Sequence, residues 1–191
     1  MTWILNSQGR PFDFEQPERC VGAITIEDIA ESLAKECRFT GKCRGHYSVA
    51  QHSIYVSQVV PPPLALEGLL HDASEAYTKD ISHPLKQLLP DYKGVEGRVD
   101  WVIRRLWGLP EKCSSEVKKA DMVLLATERR DLMPEEGTPW LMLKGVTPLE
   151  KHISYGWPWQ VARHRFLARY HELMENTRMN TFSERGINVS A

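Results

Sequence analysis

The 191-residue chain is 42% hydrophobic and 26% charged, which supplies one sizeable core and excludes a disordered or fibrous protein. Twenty-four Lys and Arg against 25 Asp and Glu leave a formal charge of -1, so the totals hold neither a basic surface for duplex nucleic acid nor an acidic tail. No apolar run approaches the roughly 20 residues that cross a bilayer, and the opening MTWILNSQGRPFDF lacks a charged stretch followed by an apolar one. Cys20, Cys37, Cys43 and Cys113 lack C-x-x-C spacing and read as small buried hydrophobes of a reduced, cytoplasmic protein, with half a zinc site at Cys37 and Cys43 as the weaker alternative.

In chain order, residues 1 to 23 form a small hairpin or extended arm, with Gly9 between two short apolar pieces. Thr25 then caps a helix carrying Ile26, Ile29, Ala30, Leu33 and Cys37 at helical spacing, predicted to end near Gly41. A second helix runs from near Ser48 to Pro61-Pro62-Pro63, and a third from about Leu64 to Tyr77. Lys79 to Pro90 is predicted as a loop with a short helix, followed by helices over Asp91 to Trp107 and Ser115 to Leu132. Three prolines and three glycines make 133–156 a flap, Trp157 to Met174 is the last helix, and the tail from 177 to 191 is loose. The expectation is a single all-α domain of six or seven helices, with its core over about 25–132.

Projection of the third helix puts Leu66, Leu69, Leu70, Ala73 and Tyr77 on one side and His71, Asp72 and Glu75 on the other, a pattern that a solvated polar face shares. His52 instead falls inside the Val49, Val56, Val59 and Val60 stripe, as a satisfied core histidine or a ligand. Asp121 lies within the Val117, Ala120, Leu124 and Glu128 stripe, where burial demands an ion-pair partner or a metal. Two imidazoles and two carboxylates that met on one divalent cation would suit Zn, Mn, Co, Fe, Ni or Mg and leave positions open for water and substrate.

The ordered set His52, His71-Asp72 and Asp121, with YSVAQHS, LLHDASEAYTKDISHPLK and VKKADMVLLATERRDL around it, resembles the HD-domain superfamily of metal-dependent phosphohydrolases. Within it the chain looks like the compact bacterial 5′-deoxynucleotidases and the phage dATP triphosphohydrolases, over about residues 25 to 132. The resemblance implies an HD-type helical bundle, His52, His71, Asp72 and Asp121 as metal ligands, and Glu75 as the acid that orients or deprotonates the attacking water. It implies Asp80 as a second carboxylate near the leaving group, against a plain turn role. Arg38 would reach the substrate, Lys86 and Lys118 the phosphates, and Phe39 stands where the bacterial enzymes carry tryptophan. His46 and His83 are expected outside the ligand set, though near enough to donate to phosphate oxygens, and His152, His164 and His171 on the surface or in the core. Glu128, Arg129 and Arg130 are expected to ion-pair or to make oligomer contacts. Trp101, Trp107, Trp140, Trp157 and Trp159 are expected in core or interface, with Trp140, Trp157 or Trp159 able to close over a base. The implied substrates are dATP or other small deoxynucleotides, in a homo-oligomer, a dimer or a hexamer, in the cytoplasm of the cell or of a phage host. Alternatives are hydrolysis of guanosine tetraphosphate at its 3′ pyrophosphate, a non-enzymatic nucleotide-binding adaptor with a structural metal, and, more weakly, single-stranded nucleic-acid binding.

Overall fold

A computed structural model describes residues 1–135 and 137–184. They build a helical bundle: a β1 (Trp3–Leu5) and β2 (Pro11–Asp13) hairpin precedes α1 (Ile26–Lys35), α2 (Val49–Val59), α3 (Ala65–Leu70), α4 (Glu75–Thr78), α5 (His83–Lys86), α6 (Pro90–Leu106), α7 (Ser115–Leu132) and α8 (Trp159–Glu184). The bundle is all-α as expected, with eight helices among the described residues instead of six or seven, and none of them is long and apolar enough to cross a membrane.

The hairpin pairs Trp3 with Asp13 and Leu5 with Pro11, and Gly9 supplies the positive φ of its turn. It is anchored by Phe12, fully buried and stacked on Tyr77 at 4.1 Å. Asp28 adds a polar tie, accepting from Ser7 N and from the Tyr77 hydroxyl.

Thr25 caps α1 through its side-chain oxygen, which accepts from Asp28 N. The predicted run to Gly41 stops at Lys35, because the next donors and acceptors go elsewhere: Val49 N donates to Glu36 O and Arg38 N to Tyr47 O, across a bridge between Cys37 and Ser48. Phe39 and Thr40 then take left-handed φ values of 56° and 50°, which no helix tolerates. This turn swings Arg38 into the interior.

α2, capped by Ser48 and ended before Pro61, is the central element and packs on α1, α3, α7 and α8. Gly68 lets α3 approach it, since a Cβ there would lie 3.1 Å from Val60 Cγ2 and 3.2 Å from Ser57 Cα. The single helix expected from Leu64 to Tyr77 breaks after Leu70. From His71 to Ser74 the backbone tightens to three-residue bonds, Ala73 N to Leu70 O and Glu75 N to Asp72 O, before α4 begins. The tightening shifts the 100° projection and turns His71, Asp72 and Glu75 inward, so the solvated-face reading fails.

α5 supplies the short helix predicted between Lys79 and Pro90, α6 starts one residue early at Pro90, and α7 has the predicted bounds. α3, α6 and the start of α7 are locked by a buried pair in which Arg104 Nη1 lies 3.3 Å from Glu67 Oε1, while Glu67 also accepts from Ser114 N and Oγ. Glu67→Ala removes the acceptor shared by Arg104 and Ser114, while Arg104 keeps Asp100 at 2.9 Å and Pro110 O at 3.0 Å, so a loss of about 1–3 kcal/mol of stability is expected, read by denaturant unfolding.

The 133–156 segment is irregular as predicted, apart from one 3₁₀ turn at Leu141–Leu143. It is held to α2 by Gln51, which donates to Tyr155 O and accepts from Trp157 N. The last helix begins at Trp159, two residues later than expected, because Pro158 O takes the first two amides, Val161 N and Ala162 N. It continues past Met174 to Glu184, as no Pro or Gly interrupts the sequence before Gly186. The loose tail expected over 177–191 is thus corrected for 177–184, and 185–191 lie outside the described residues.

Candidate metal centre

Four elements converge. α2 contributes His52, the tight turn His71 and Asp72, α7 Asp121, and the turn after α1 Arg38. One donor atom each from His52, His71 and Asp72 lies within 4.8 Å of the others, a group that can hold a metal ion. Asp121 stands outside that triplet but against it, its Oδ1 3.2 Å from His52 Nε2. Asp72 Oδ2 is 3.1 Å from His71 Nε2 and 3.7 Å from His52 Nε2.

The two imidazoles are oriented as metal-binding histidines are. His71 Nδ1 is 2.9 Å from Gly68 O, which can only accept, so Nδ1 carries the proton and in the neutral ring Nε2 keeps its lone pair. His52 Nδ1 is 2.5 Å from Glu128 Oε1, which fixes the second ring the same way. Both Nε2 atoms are buried without a well-aligned hydrogen bond, each instead facing a carboxylate oxygen, Asp121 Oδ1 at 3.2 Å from His52 and Asp72 Oδ2 at 3.1 Å from His71. Buried polar atoms are rarely left so, and rings oriented by an acceptor on the far nitrogen are the usual arrangement of metal-binding histidines. Three carboxylates, Asp72, Asp121 and Glu128, face the single guanidinium of Arg38, so the cluster calls for additional positive charge.

The acid–base balance says the same. Burial and Arg38 both disfavour a charged His52, yet Glu128 and Asp121 hold it up at about 9. Burial also opposes the charged form of His71, but Asp72 and Asp121 push that ring upward. Partial burial raises Asp72, but His71, His52 and Arg38 hold its carboxyl far below the ordinary range.

Glu128 was expected to make ion-pair or oligomer contacts. It does ion-pair, but inside the site: fully buried, it accepts from His52 and from the Tyr47 hydroxyl on Oε1, and from Arg38 Nε on Oε2 at 3.1 Å. Tyr47 and this role of Glu128 were missed from sequence, although the position of Glu128 seven residues after Asp121 in the α7 stripe was the available signal. Glu128→Gln weakens the acceptor that orients His52 and is expected to lower divalent-metal affinity about 10- to 100-fold, read by competition against a chelating dye.

Beside the cluster, Glu75 opens α4 with a buried carboxyl whose Oε2 has no hydrogen-bond partner and whose Oε1 lies 3.6 Å from Lys86 Nζ. Burial, reinforced by Asp72 and Asp80, raises Glu75 well above the usual carboxylate range. Asp80 follows the left-handed Lys79 and is raised by burial and Asp72 against the pull of Arg38. Lys86 also pairs with Glu96 at 2.6 Å. Arg38 Nη1 reaches Asp72 Oδ2 at 3.6 Å, and its guanidinium lies over the Phe39 ring. The side chains of Asp72 and Asp121 are 21% and 37% exposed, so the cluster opens to solvent on their side.

Other candidates lie apart. Lys118 is exposed and lines a hollow between α7 and the 142–147 loop. His46, His83, His152, His164 and His171 are exposed, and His152 pairs with Asp131. Arg130 pairs with Asp131 and Arg129 donates to Thr138 O. The Cys37 and Cys43 sulfurs are 3.8 Å apart as free thiols.

The chain is 43% identical over 183 residues to uncharacterized protein YfdR of Escherichia coli (strain K12), covering 92% of this chain and 97% of that protein. It belongs to the YfdR family. An uncharacterized protein of Rhodobacter capsulatus is 31% identical over 128 residues, 62% of this chain and 64% of that protein. No family model matches the chain.

Proposed function

We propose that this member of the YfdR family is a metal-dependent phosphohydrolase of HD-domain type. Its reaction is cleavage of the 5′ phosphoester of small deoxynucleotides by water, releasing a deoxynucleoside with phosphate or triphosphate. The observation that carries the reading is the pair of buried imidazoles, each fixed through Nδ1 and each turning its Nε2 toward the carboxylates of Asp72 and Asp121. His52, His71, Asp72 and Asp121 would hold the cation; when bound, it makes water more acidic and offsets charge on the phosphoryl group.

The remaining residues supply binding and proton transfer. Glu75 would take the proton of the attacking water at its unpartnered Oε2. Lys86 stands over the same carboxylate and balances its charge. Arg38, held by Glu128, presents a fixed guanidinium to the phosphate. Asp80 stands near enough to couple electrostatically with Glu75 and would serve the leaving sugar oxygen. Phe39 packs beside Arg38 and would border the sugar.

The test is turnover of a panel of deoxy- and ribonucleotides, with guanosine tetraphosphate included, in Co, Mn, Zn or Mg with product identification. Release of a deoxynucleoside from at least one deoxynucleotide is expected. Turnover of guanosine tetraphosphate alone would move the reaction to a 3′ pyrophosphate, and binding without any turnover would leave a nucleotide-binding adaptor.

A further inference from the structure

A second hollow lies on the far side of α7. A cavity of about 790 Å³ is lined by Ala126, Arg129 and Arg130 of α7, by Met133 just past its end, by Lys42, and by Trp140 and Leu143 of the loop beyond. A smaller one of about 510 Å³, lined by Lys118, Lys119, Met122 and Met142, meets it at Val146, which lines both. None of His52, His71, Asp72, Asp121, Glu75 or Asp80 lines either cavity. At 100° per residue, Lys119, Val123, Ala126 and Arg130 project about 140° to 180° away from Asp121, while Lys118 and Arg129 at the trough's edges lie about 60° and 80° from it.

The trough has a distinct chemistry along its length. Lys118 and Lys119 stand exposed at one end and Lys42 at the other. Glu135 is the one acidic residue among the described residues that line it. The floor and loop wall are apolar, with Ala126, Val123, Leu143 and Pro148. Trp140 presents an indole with the Arg129 guanidinium 5.1 Å from its ring centre, the amphipathic pairing that stacks on aromatic bases. Lys118 to Arg129 spans eleven residues of helix, about 16 Å at 1.5 Å per residue, which matches one extended nucleoside triphosphate. A long polyanion would need basic surface beyond the trough, and the chain's net charge of -1 does not supply it.

We propose that this trough is a second ligand site, separate from the metal centre, that takes a nucleoside triphosphate with its base against Trp140 and its phosphates toward Lys118 and Lys119. The site lies two side chains from the metal cluster, since the Trp140 ring is 6.2 Å from Phe39 and Phe39 packs under Arg38. It does not depend on the hydrolase reading.

The test is calorimetric titration of the full chain with ATP in EDTA, using wild type, His71→Ala, Lys119→Glu and Trp140→Leu, with inorganic triphosphate and adenosine as comparison ligands. His71→Ala is expected to keep the wild-type Kd within about twofold, because the metal centre takes no part. Lys119→Glu, an exposed position that leaves the fold intact, weakens binding about fivefold or more by reversing a charge beside the phosphates. Trp140→Leu weakens it about fivefold or more through lost stacking, and inorganic triphosphate and adenosine each bind more weakly than ATP. Loss of binding in His71→Ala, equal binding by wild type and both trough variants, equal binding of inorganic triphosphate and ATP, or no saturable binding of ATP would each overturn the assignment.

Discussion

Glu75→Gln is expected to lower nucleotide turnover by about 10²- to 10⁴-fold while the purified protein keeps its divalent metal, the range lost when a positioned general base is removed. The substitution retains the volume of a buried side chain, so the fold survives and the loss reads on chemistry. It removes the ability to take a proton at Oε2, the carboxyl oxygen left without a partner, together with the charge that faces Lys86 Nζ at 3.6 Å. Steady-state kinetics beside elemental analysis of the same preparation checks both halves. Retained turnover takes Glu75 out of the reaction, and turnover lost together with the metal makes Glu75 a structural support of the site.

His71→Ala is expected to abolish stoichiometric metal binding, with an affinity loss beyond the roughly 10- to 100-fold that follows removal of an orienting partner such as Glu128. Turnover falls with it. Without His71 the three carboxylates around His52 lose one of their two imidazoles, and added Co, Mn or Zn does not restore activity. Metal content by mass spectrometry, with the unfolding transition as a control for the fold, separates this from general collapse. A variant that holds the ion as tightly as the parent shows that His71 is not a ligand.

The residues that patterning could reach are those whose chemistry contradicts their surroundings. His52 and Asp121 lie inside apolar stripes, and that conflict alone marks them. The α7 bounds followed from Ser114–Ser115 and the proline-rich segment after Leu132, and the helix formed there. Periodicity failed where tertiary demands override the helix. The third stretch carries good helical spacing, yet the backbone tightens at His71–Ser74 and turns Asp72 and Glu75 inward. Arg38 illustrates the same limit. Its placement depends on the Cys37–Ser48 bridge and on two left-handed residues, and neither Phe39 nor Thr40 announces that conformation. Glu128 was legible as a stripe residue, but its role as the common acceptor for His52, Tyr47 and Arg38 required three elements to be brought together.

On the proposed function, the same geometry would let a chain with balanced charge recognise a phosphate ester. Arg38 and Lys86 are supplied locally and each is anchored by a carboxylate, Glu128 and Glu96. A small nucleotide needs no wider basic surface, and the carboxylates that would repel it are the ones that a cation neutralises.

The most direct test of the central claim is hydrolysis of dATP and dAMP in ¹⁸O-labelled water by metal-loaded and EDTA-stripped protein. Attack of water at phosphorus predicts deoxyadenosine free of label and ¹⁸O in the released phosphate or triphosphate, with the metal-loaded protein alone active. Label in the deoxyadenosine, equal rates with and without metal, or intact nucleotide under every metal tested would contradict it.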